Sequence, residues 1–196
     1  MTKENADRIL RALFTSVNDG LKLLDAEPQL LNARTGLGET PLHYLAVEDH
    51  LEAIKALVEK KNAEVNTLND FGGSPLSEAA GLGHVELVRY LLGAGAKLNI
   101  PGQKESVLHA AVRSGNAELV KVVLDAGAVV NDVESLDETA LHVAAENDHV
   151  EIVRLLLGAG ADIKARRIFD ETPLDVAVRS GAMRVQDLLR SKNETP

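Results

Sequence analysis

The 196-residue sequence contains no cysteine and no tryptophan, and it has only three phenylalanines and two tyrosines. Without cysteine the chain can form neither disulfides nor thiolate metal ligands, which suits a reducing compartment, and we expect a cytoplasmic location. The scarcity of aromatic rings argues against a single-stranded nucleic-acid site, because such sites hold unstacked bases on aromatic faces.

Long apolar runs and excess positive charge are also missing. No segment approaches the roughly 18 consecutive apolar residues of a membrane-spanning helix, and the charged N-terminal segment does not have the apolar core of a signal peptide. Lys and Arg number 21 against 30 Asp and Glu, for a formal net charge of -9. Because non-specific nucleic-acid binding depends on cations that neutralise phosphates, we expect neither a nucleic-acid nor a membrane partner.

What the sequence does contain is a repeated pattern. Five similar segments follow one another at spacings of 32 to 34 residues, and they begin at Thr40, Ser74, Ser106, Thr139 and Thr172. An aliphatic stretch follows each start, as in residues 85–99, 117–131 and 150–164. A fixed period of this length indicates an array of small structural units.

The local chemistry of one unit predicts two short helices. Thr40 before Pro41 supplies an N-cap oxygen and a proline at the first helical position. Gly95 follows the second helix and tolerates a left-handed cap. The second helix carries apolar residues on one face, at positions 85, 88, 91 and 92. Helices this short need neighbouring units to cover their apolar faces.

The pattern resembles the ankyrin repeat family, which has a T-P-L-H-x-A signature and a 33-residue period. The likeness extends over roughly residues 5 to 192, and its carriers are Thr40, Pro41, Leu42, His43, Ala46, Leu91, Leu92, Gly95, Ala96, Asn99 and their counterparts. The resemblance implies an all-α fold, an ankyrin-type helical solenoid of six stacked helix pairs joined by projecting finger loops. We expect a single domain over residues 1–196.

The two ends of the array depart from the pattern. Residues 5–32 lack the capping motif, and Pro28 replaces the helix-ending glycine, so this N-terminal cap must turn differently. Full repeats start at 40, 74, 106 and 139. In the last unit, 172–192, Asp175 replaces the motif histidine and charged residues interrupt the final helix, which is typical of a C-terminal cap with one wet face. A short tail, 193–196, remains.

The six histidines all fall on repeat positions. His43, His109 and His142 stand near the start of a first helix, where the resemblance implies a hydrogen bond to the neighbouring loop. The others, His50, His84 and His149, occupy the turn between paired helices. Members of one column are spread along the array and cannot converge on one ion, so we interpret them as structural and expect no metal.

Acidic pairs offer the other candidate chemistry. We interpret Glu138 with Glu146, and Asp170 with Glu171, as solvated surface groups, because finger loops and helix starts of a thin array remain wet. Motifs for a nucleophilic serine, a zinc protease or a phosphate-binding loop do not occur in the sequence. We therefore expect no catalytic residue, no cofactor and no enzymatic activity.

The finger loops, residues 33–39, 67–73, 100–105, 132–138 and 165–171, carry the strongest functional signal. Three residues before each helix-capping Thr or Ser the sequence reads Leu37, Phe71, Gln103, Leu136 and Phe169. Four of these five are large and apolar. An exposed apolar row is typical of a recognition surface, whereas the alternative is that each tip packs on its neighbour.

Two further features of the units point to a protein partner. The fourth finger holds four acids, so a partner with a basic patch would suit it, and the fifth adds Arg166 and Arg167. Residues at the ends of the first helices vary between units, and the resemblance places them on a concave wall. The full candidate set for partner binding is Leu37, Tyr44, Val47, Glu48, Phe71, Leu82, Lys104, Arg113, Leu136, Glu146, Asn147, Arg166, Phe169 and Arg179.

These observations predict a stand-alone, monomeric adaptor or inhibitor that binds one protein partner through the finger tips and the concave face. Two alternatives stay open. The chain could self-associate through the apolar row, or it could hold a small molecule or an enzymatic site between fingers.

Overall fold

The computed structural model describes residues 3–193, and from residue 194 onward the expected tail lies outside the described residues. Twelve α-helices form six pairs over this range. They are α1 (Lys3–Thr15), α2 (Val17–Ala26), α3 (Pro41–Val47), α4 (Leu51–Lys61), α5 (Pro75–Gly81), α6 (Val85–Gly93), α7 (Val107–Arg113), α8 (Ala117–Asp125), α9 (Ala140–Glu146), α10 (Val150–Gly158), α11 (Pro173–Ser180) and α12 (Met183–Asn193). The predicted all-α class is confirmed.

Short non-α elements occupy the connections. Three 3₁₀ turns are present among the described residues, at Pro28–Asn32, Ser135–Asp137 and Ile168–Asp170. Within residues 3–193 extended structure is limited to two isolated bridges, one joining Val133 to Thr139 and one joining Arg167 to Glu171. No helix in the same range combines the length and the apolar character that crossing a bilayer requires.

The chain divides into two compact units, Met1–Lys104 and Glu105–Pro196. In the first unit α1 packs on α2 and α3, α2 and α3 pack on α4, and α5 packs on α3 and α6. In the second unit α9 contacts α7, α10 and α11, while α10 contacts α8 and α12. Each helix pair is therefore covered by neighbours within its own unit.

The first helices begin where the sequence predicts, because local hydrogen bonds fix their starts. At α5 the Ser77 backbone N–H donates to Ser74 Oγ at 3.1 Å, and the Ser74 N–H donates to Ser77 Oγ at 2.8 Å. At α11 the Thr172 N–H donates to Asp175 Oδ2 at 2.9 Å. Reciprocal caps of this kind satisfy backbone groups that a helix end leaves open.

The ends of the helices follow the same local logic. Gly95 adopts a left-handed φ of 89°, and Asn62 caps α4 with a φ of 54°. Helix α2 stops at Ala26, and Pro28 then starts a 3₁₀ turn that buries Leu30. The prediction that the N-terminal cap, residues 5–32, turns differently from the other repeats is confirmed.

The buried face of the second helices is one point on which the sequence prediction was wrong in detail. In α6 the fully buried residues are Leu87, Val88 and Leu91, whereas Val85 and Leu92 are only half-buried. In α10 the equivalent buried set is Ile152, Val153 and Leu156. Helix α10 contacts its pair partner α9 and also the second helices α8 and α12, and burying residues against all of them shifts the buried face by part of a turn.

Candidate partner-binding surface

Buried histidines at the starts of the first helices form hydrogen bonds to the neighbouring finger loops. The Thr40 N–H donates to His43 Nδ1 at 3.2 Å, so the ring carries its proton on Nε2, which donates to the carbonyl of Gly73 at 3.1 Å. His142 repeats this arrangement between Thr139 (3.2 Å) and the carbonyl of Glu171 (3.1 Å). The hydrogen bond to a neighbouring loop that the resemblance implied is therefore present.

The electrostatics of these rings agree with the geometry. Burial lowers the pKa of His43 and of His142, and nearby Arg34 and Arg167 respectively lower it further. The neutral form is the one that can accept at Nδ1 and donate at Nε2. Both rings thus act as structural bridges near neutral pH.

In the first unit the finger tips are exposed while their backbones are held. Leu37 is 50% exposed and Phe71 is 60% exposed. The Asp70 N–H donates to the carbonyl of Leu37 at 3.1 Å and ties the two fingers together. Gly38 has a φ of 74°, and a Cβ there would lie 2.9 Å from the Asp70 nitrogen, so only glycine fits this close approach.

In the second unit the two tips project further into solvent. Leu136 is 61% exposed and Phe169 is 86% exposed. Val133 (50% exposed) and Ile168 (38% exposed) flank them, and neither residue belongs to the candidate set predicted from the sequence. Both are apolar residues inside a finger, which is the sequence feature that could have identified them. They do not occupy the position three residues before the helix-capping Thr or Ser, on which the prediction was based.

An ion-pair ladder joins the fourth and fifth fingers of the second unit. Arg167, with 12% of its side chain exposed, pairs with Glu138 and lies 3.0 Å from Glu171. Arg179 continues the ladder, with its Nε 3.1 Å from Glu171 Oε1. The interpretation of Glu138 and Glu171 as solvated carboxylates is therefore wrong, because Arg167 lies against both of them and Arg179 lies against Glu171.

The ladder extends to the first-helix end and changes the charge of the fourth finger. Arg113 lies 2.9 Å from Glu134 and also pairs with Glu105. Arg113 and Arg167 thus compensate two of the four acids of this finger. The carboxylates of Asp132 and Asp137 remain outside the ladder.

The first-helix wall, by which we mean the exposed ends of the first helices, differs between the units. In the first unit it is largely apolar, with Val47 38% and Leu82 53% exposed beside the exposed Glu48. Tyr44 is half-buried, and burial together with the carboxylate of Glu39 raises the pKa of its hydroxyl.

In the second unit the same positions are polar and engaged. Glu146 Oε1 lies 3.4 Å from Arg179, and Arg113 belongs to the ladder described above. Asn147 is exposed, and its side-chain amide donates to the carbonyl of Val143 at 2.9 Å. The candidate residues of this wall therefore form an ion-paired surface rather than an apolar one.

Two predicted cationic contacts stand on finger loops. Lys104 is exposed, and its backbone N–H donates to the carbonyl of Gly72 at 3.3 Å. Arg166 pairs with Asp170 at 2.7 Å and donates to the Asp170 carbonyl at 2.9 Å. The Lys104 side chain carries a charge at the finger edge, whereas that of Arg166 is neutralised by its neighbour.

The grooves of the described residues lie away from the finger loops, and no metal-binding cluster is found among the same residues. No group of three or more His, Asp or Glu side chains within the described range could hold a metal ion. One groove of about 450 Å³ lies beside α10 and α12, lined by Leu157, Ile163 and Leu188 with Arg154 and Lys192. Another of about 480 Å³ lies between α2 and α4. Finger residues line neither groove.

Comparison with known proteins agrees with this geometry. A family profile described as "Ankyrin repeats (3 copies)" matches residues 8–102 and 95–167. The chain belongs to the ankyrin repeat family. Ankyrin repeats generally act as protein–protein interaction modules, and the family is typically non-catalytic.

Two curated proteins are similar to parts of the chain. Alpha-latrocrustotoxin-Lt1a of Latrodectus tredecimguttatus is 36% identical over 67 residues, which is 34% of this chain and 5% of the toxin. Ankyrin repeat protein nuc-2 of Neurospora crassa is 33% identical over 93 residues, which is 47% of this chain and 9% of that protein. The chain thus spans less than a tenth of the length of either relative.

Proposed function

We propose that this chain is a non-catalytic adaptor or inhibitor that binds a protein partner through its finger tips and first-helix wall. The observation that carries the proposal is the exposure of the four apolar tips, Leu37, Phe71, Leu136 and Phe169, which ranges from 50% to 86%. Large apolar side chains left open in neighbouring loops are typical of a binding surface.

Preorganisation is the physical basis of the proposed binding. Asn69 Oδ1 accepts from the N–H groups of Phe71 (3.0 Å) and Gly73 (2.9 Å), so the second finger is fixed from inside. His142 and Arg167 brace the fifth finger in the same way. Because the loops are ordered before encounter, less conformational entropy is lost when the partner docks.

The first-helix wall would supply the second part of the interface. Val47 and Leu82 give the first unit an apolar wall, which would add buried area next to the tips of that unit. The second unit would contribute mainly polar contacts through Asn147 and the outer members of the ion-pair ladder. Exposed charges of this kind select partners more than they add affinity.

The double variant Phe71→Ala, Phe169→Ala tests the proposal. Both rings are exposed, so we expect unchanged helical content and melting, while pull-down of the partner from source-cell extract is lost. The matched control is Phe14→Ala. Phe14 is the one phenylalanine that the double variant keeps; it lies on α1, outside the fingers, and is 47% exposed. Loss of folding in the double variant, or equal loss of the partner in the control, would contradict the proposal.

Self-association is the second candidate, because the same exposed tips could meet those of another copy. Sedimentation of the purified protein across a hundredfold range of concentration separates the two. A constant monomer mass supports the partner-binding function, whereas a mass that rises with concentration and is abolished by the double Phe variant supports self-association.

A further inference from the structure

The two tips of the second unit have an unusual backbone. Leu136 and Asp137 have φ values of 69° and 58°, and Phe169 and Asp170 have values of 67° and 64°. This left-handed region is unfavourable for residues with a Cβ, and Asp tolerates it better than Leu or Phe does. Both Leu136 and Phe169 therefore occupy a conformation that their side chains disfavour.

The first unit shows that a finger closes without this strain. There the left-handed position belongs to a glycine that follows the tip, Gly38 or Gly72. The backbone hydrogen bond that closes the finger is nevertheless the same in both units. The Asn69 N–H donates to the Gly73 carbonyl at 2.9 Å, and the Glu134 N–H donates to the Glu138 carbonyl at 2.9 Å. The framework of a finger thus does not require Leu136 or Phe169.

Burial does not compensate for the strain. Leu136 is 61% exposed, and Phe169 at 86% exceeds every other exposed large apolar side chain of the described residues. Leu136 and Phe169 each combine an unfavourable backbone conformation with an apolar side chain exposed to water. A contact with a molecule outside the chain explains this combination better than the fold of the finger does.

The two tips are also held in a fixed relation to each other. Arg167, two residues before Phe169, pairs with Glu138, two residues after Leu136. His142 Nε2 donates to the Glu171 carbonyl at the base of the same finger. The tips therefore present two anchors whose spacing is set before a partner arrives.

The charge beside the tips decides which partner chemistry fits. Arg166 compensates Asp170, and the ladder compensates Glu138, whereas Asp132 and Asp137 keep the edge of the fourth finger negative. The whole chain carries a formal charge of -9. A negative edge repels anionic lipid and nucleic acid and attracts Lys and Arg.

We propose that Leu136 and Phe169 are the main anchors of the partner interface, and that the partner contributes a segment of large apolar side chains flanked by Lys or Arg. This inference rests on the proposed function and specifies its partner. The strained tips supply the apolar contact, and Asp132 and Asp137 supply the charge contact.

The test uses a phage-displayed library of random peptides, selected on the intact protein, and then a synthetic peptide of the enriched sequence. We expect enrichment of peptides that combine large apolar residues with Lys or Arg. Binding should weaken by about 10- to 30-fold in Leu136→Gly, Phe169→Gly, as for interface hot spots. It should also weaken in Asp132→Asn, Asp137→Asn and at high salt.

Two measurements separate an anchor from a structural residue. The double glycine variant should melt at the same temperature as the unsubstituted protein or a few degrees above it, because glycine relieves the left-handed strain. The control Met183→Ala truncates an exposed apolar side chain of the second unit that lies on α12, outside the fingers, and should leave peptide binding unchanged.

Other outcomes overturn the inference. Enriched peptides without basic residues, binding that survives the glycine substitutions, or no enrichment would each refute the assigned chemistry. Co-sedimentation with phosphatidylserine vesicles that the glycine substitutions abolish would assign the tips to a lipid surface instead. If peptide binding is lost in Leu37→Ala, Phe71→Ala but survives in the double glycine variant, the proposed function stands and this inference fails. If no finger variant affects any protein or peptide partner, both fail.

Discussion

Replacing His142 by Asn separates two contributions of one buried side chain. His142 Nδ1 accepts from the Thr139 N–H at 3.2 Å within its own helix start, and Nε2 donates to the Glu171 carbonyl at 3.1 Å in the next finger. An Asn side chain can still accept from the Thr139 N–H, but it is too short to reach Glu171. Asp175 shows this shorter arrangement in the last unit, where it caps Thr172 at 2.9 Å.

The magnitude follows from the bond that is lost. A typical internal hydrogen bond contributes about 1 kcal/mol. The Glu171 carbonyl also accepts from the Arg167 N–H at 3.1 Å, so it keeps one partner when the bond from the fully buried His142 side chain is removed. We therefore expect a loss of about 1 kcal/mol, which for a domain of this size lowers the melting temperature by roughly 2 to 4 °C.

Thermal unfolding followed by circular dichroism measures the effect, with His142→Ala as the comparison. Ala removes the local cap as well, and we expect it to lower the free energy of unfolding by about 1 kcal/mol beyond Asn. Amide exchange of residues 165–171 should accelerate in both variants, because the finger loses its brace. If Asn melts like the original protein, the bond to Glu171 contributes nothing and the reasoning is refuted.

Further predictions concern the ladder, the histidines and a close backbone approach. Arg167→Met removes the partly buried cation that Glu138 and Glu171 share, leaving Glu138 with Arg113 at 3.7 Å and Glu171 with Arg179 at 3.1 Å. It should lower the free energy of unfolding by about 1 to 3 kcal/mol, measured by urea denaturation. Because burial lowers the pKa of His43 and of His142, the folded state binds fewer protons than the unfolded state. The stability that these two neutral rings contribute is therefore fully present above the ordinary histidine pKa of 6.5 and is lost as pH falls through their lowered pKa. Urea midpoints measured at pH 7.5 and at pH 5 would detect this loss. Gly38→Ala should destabilise by more than about 1 kcal/mol in the same assay, since its φ is 74° and the added Cβ meets the next finger.

Each of these predictions has a matched control. Arg166→Met breaks an exposed pair and should change stability by less than about 0.5 kcal/mol. His142→Asn should reduce the pH dependence, and an unchanged pH profile would contradict the role given to the buried rings. Gly36→Ala adds a Cβ that meets nothing within 4 Å, so a loss equal to that of Gly38→Ala would refute the steric argument.

Local features of the structure could be predicted from the sequence. Ser74 before Pro75 starts a helix because the capping atoms are within four residues of one another, and Gly95 ends one because few residue types adopt its φ. The column of apolar finger residues was also visible, because it depends on position in the repeat alone. Exposure of those residues required the packed structure.

The sequence by itself determined the helix pairs, their starts and ends, and the repeat that places Leu136 and Phe169 in fingers, since all of these depend on neighbours along the chain. Tertiary structure alone decided that Arg167 neutralises Glu138, 29 residues away, and that Leu87 replaces Val85 in the buried face. The left-handed backbone of the two exposed tips belongs to the same group. Such features arise where separate units meet or where a finger folds back on itself, and they depend on distances in space that residue order does not specify.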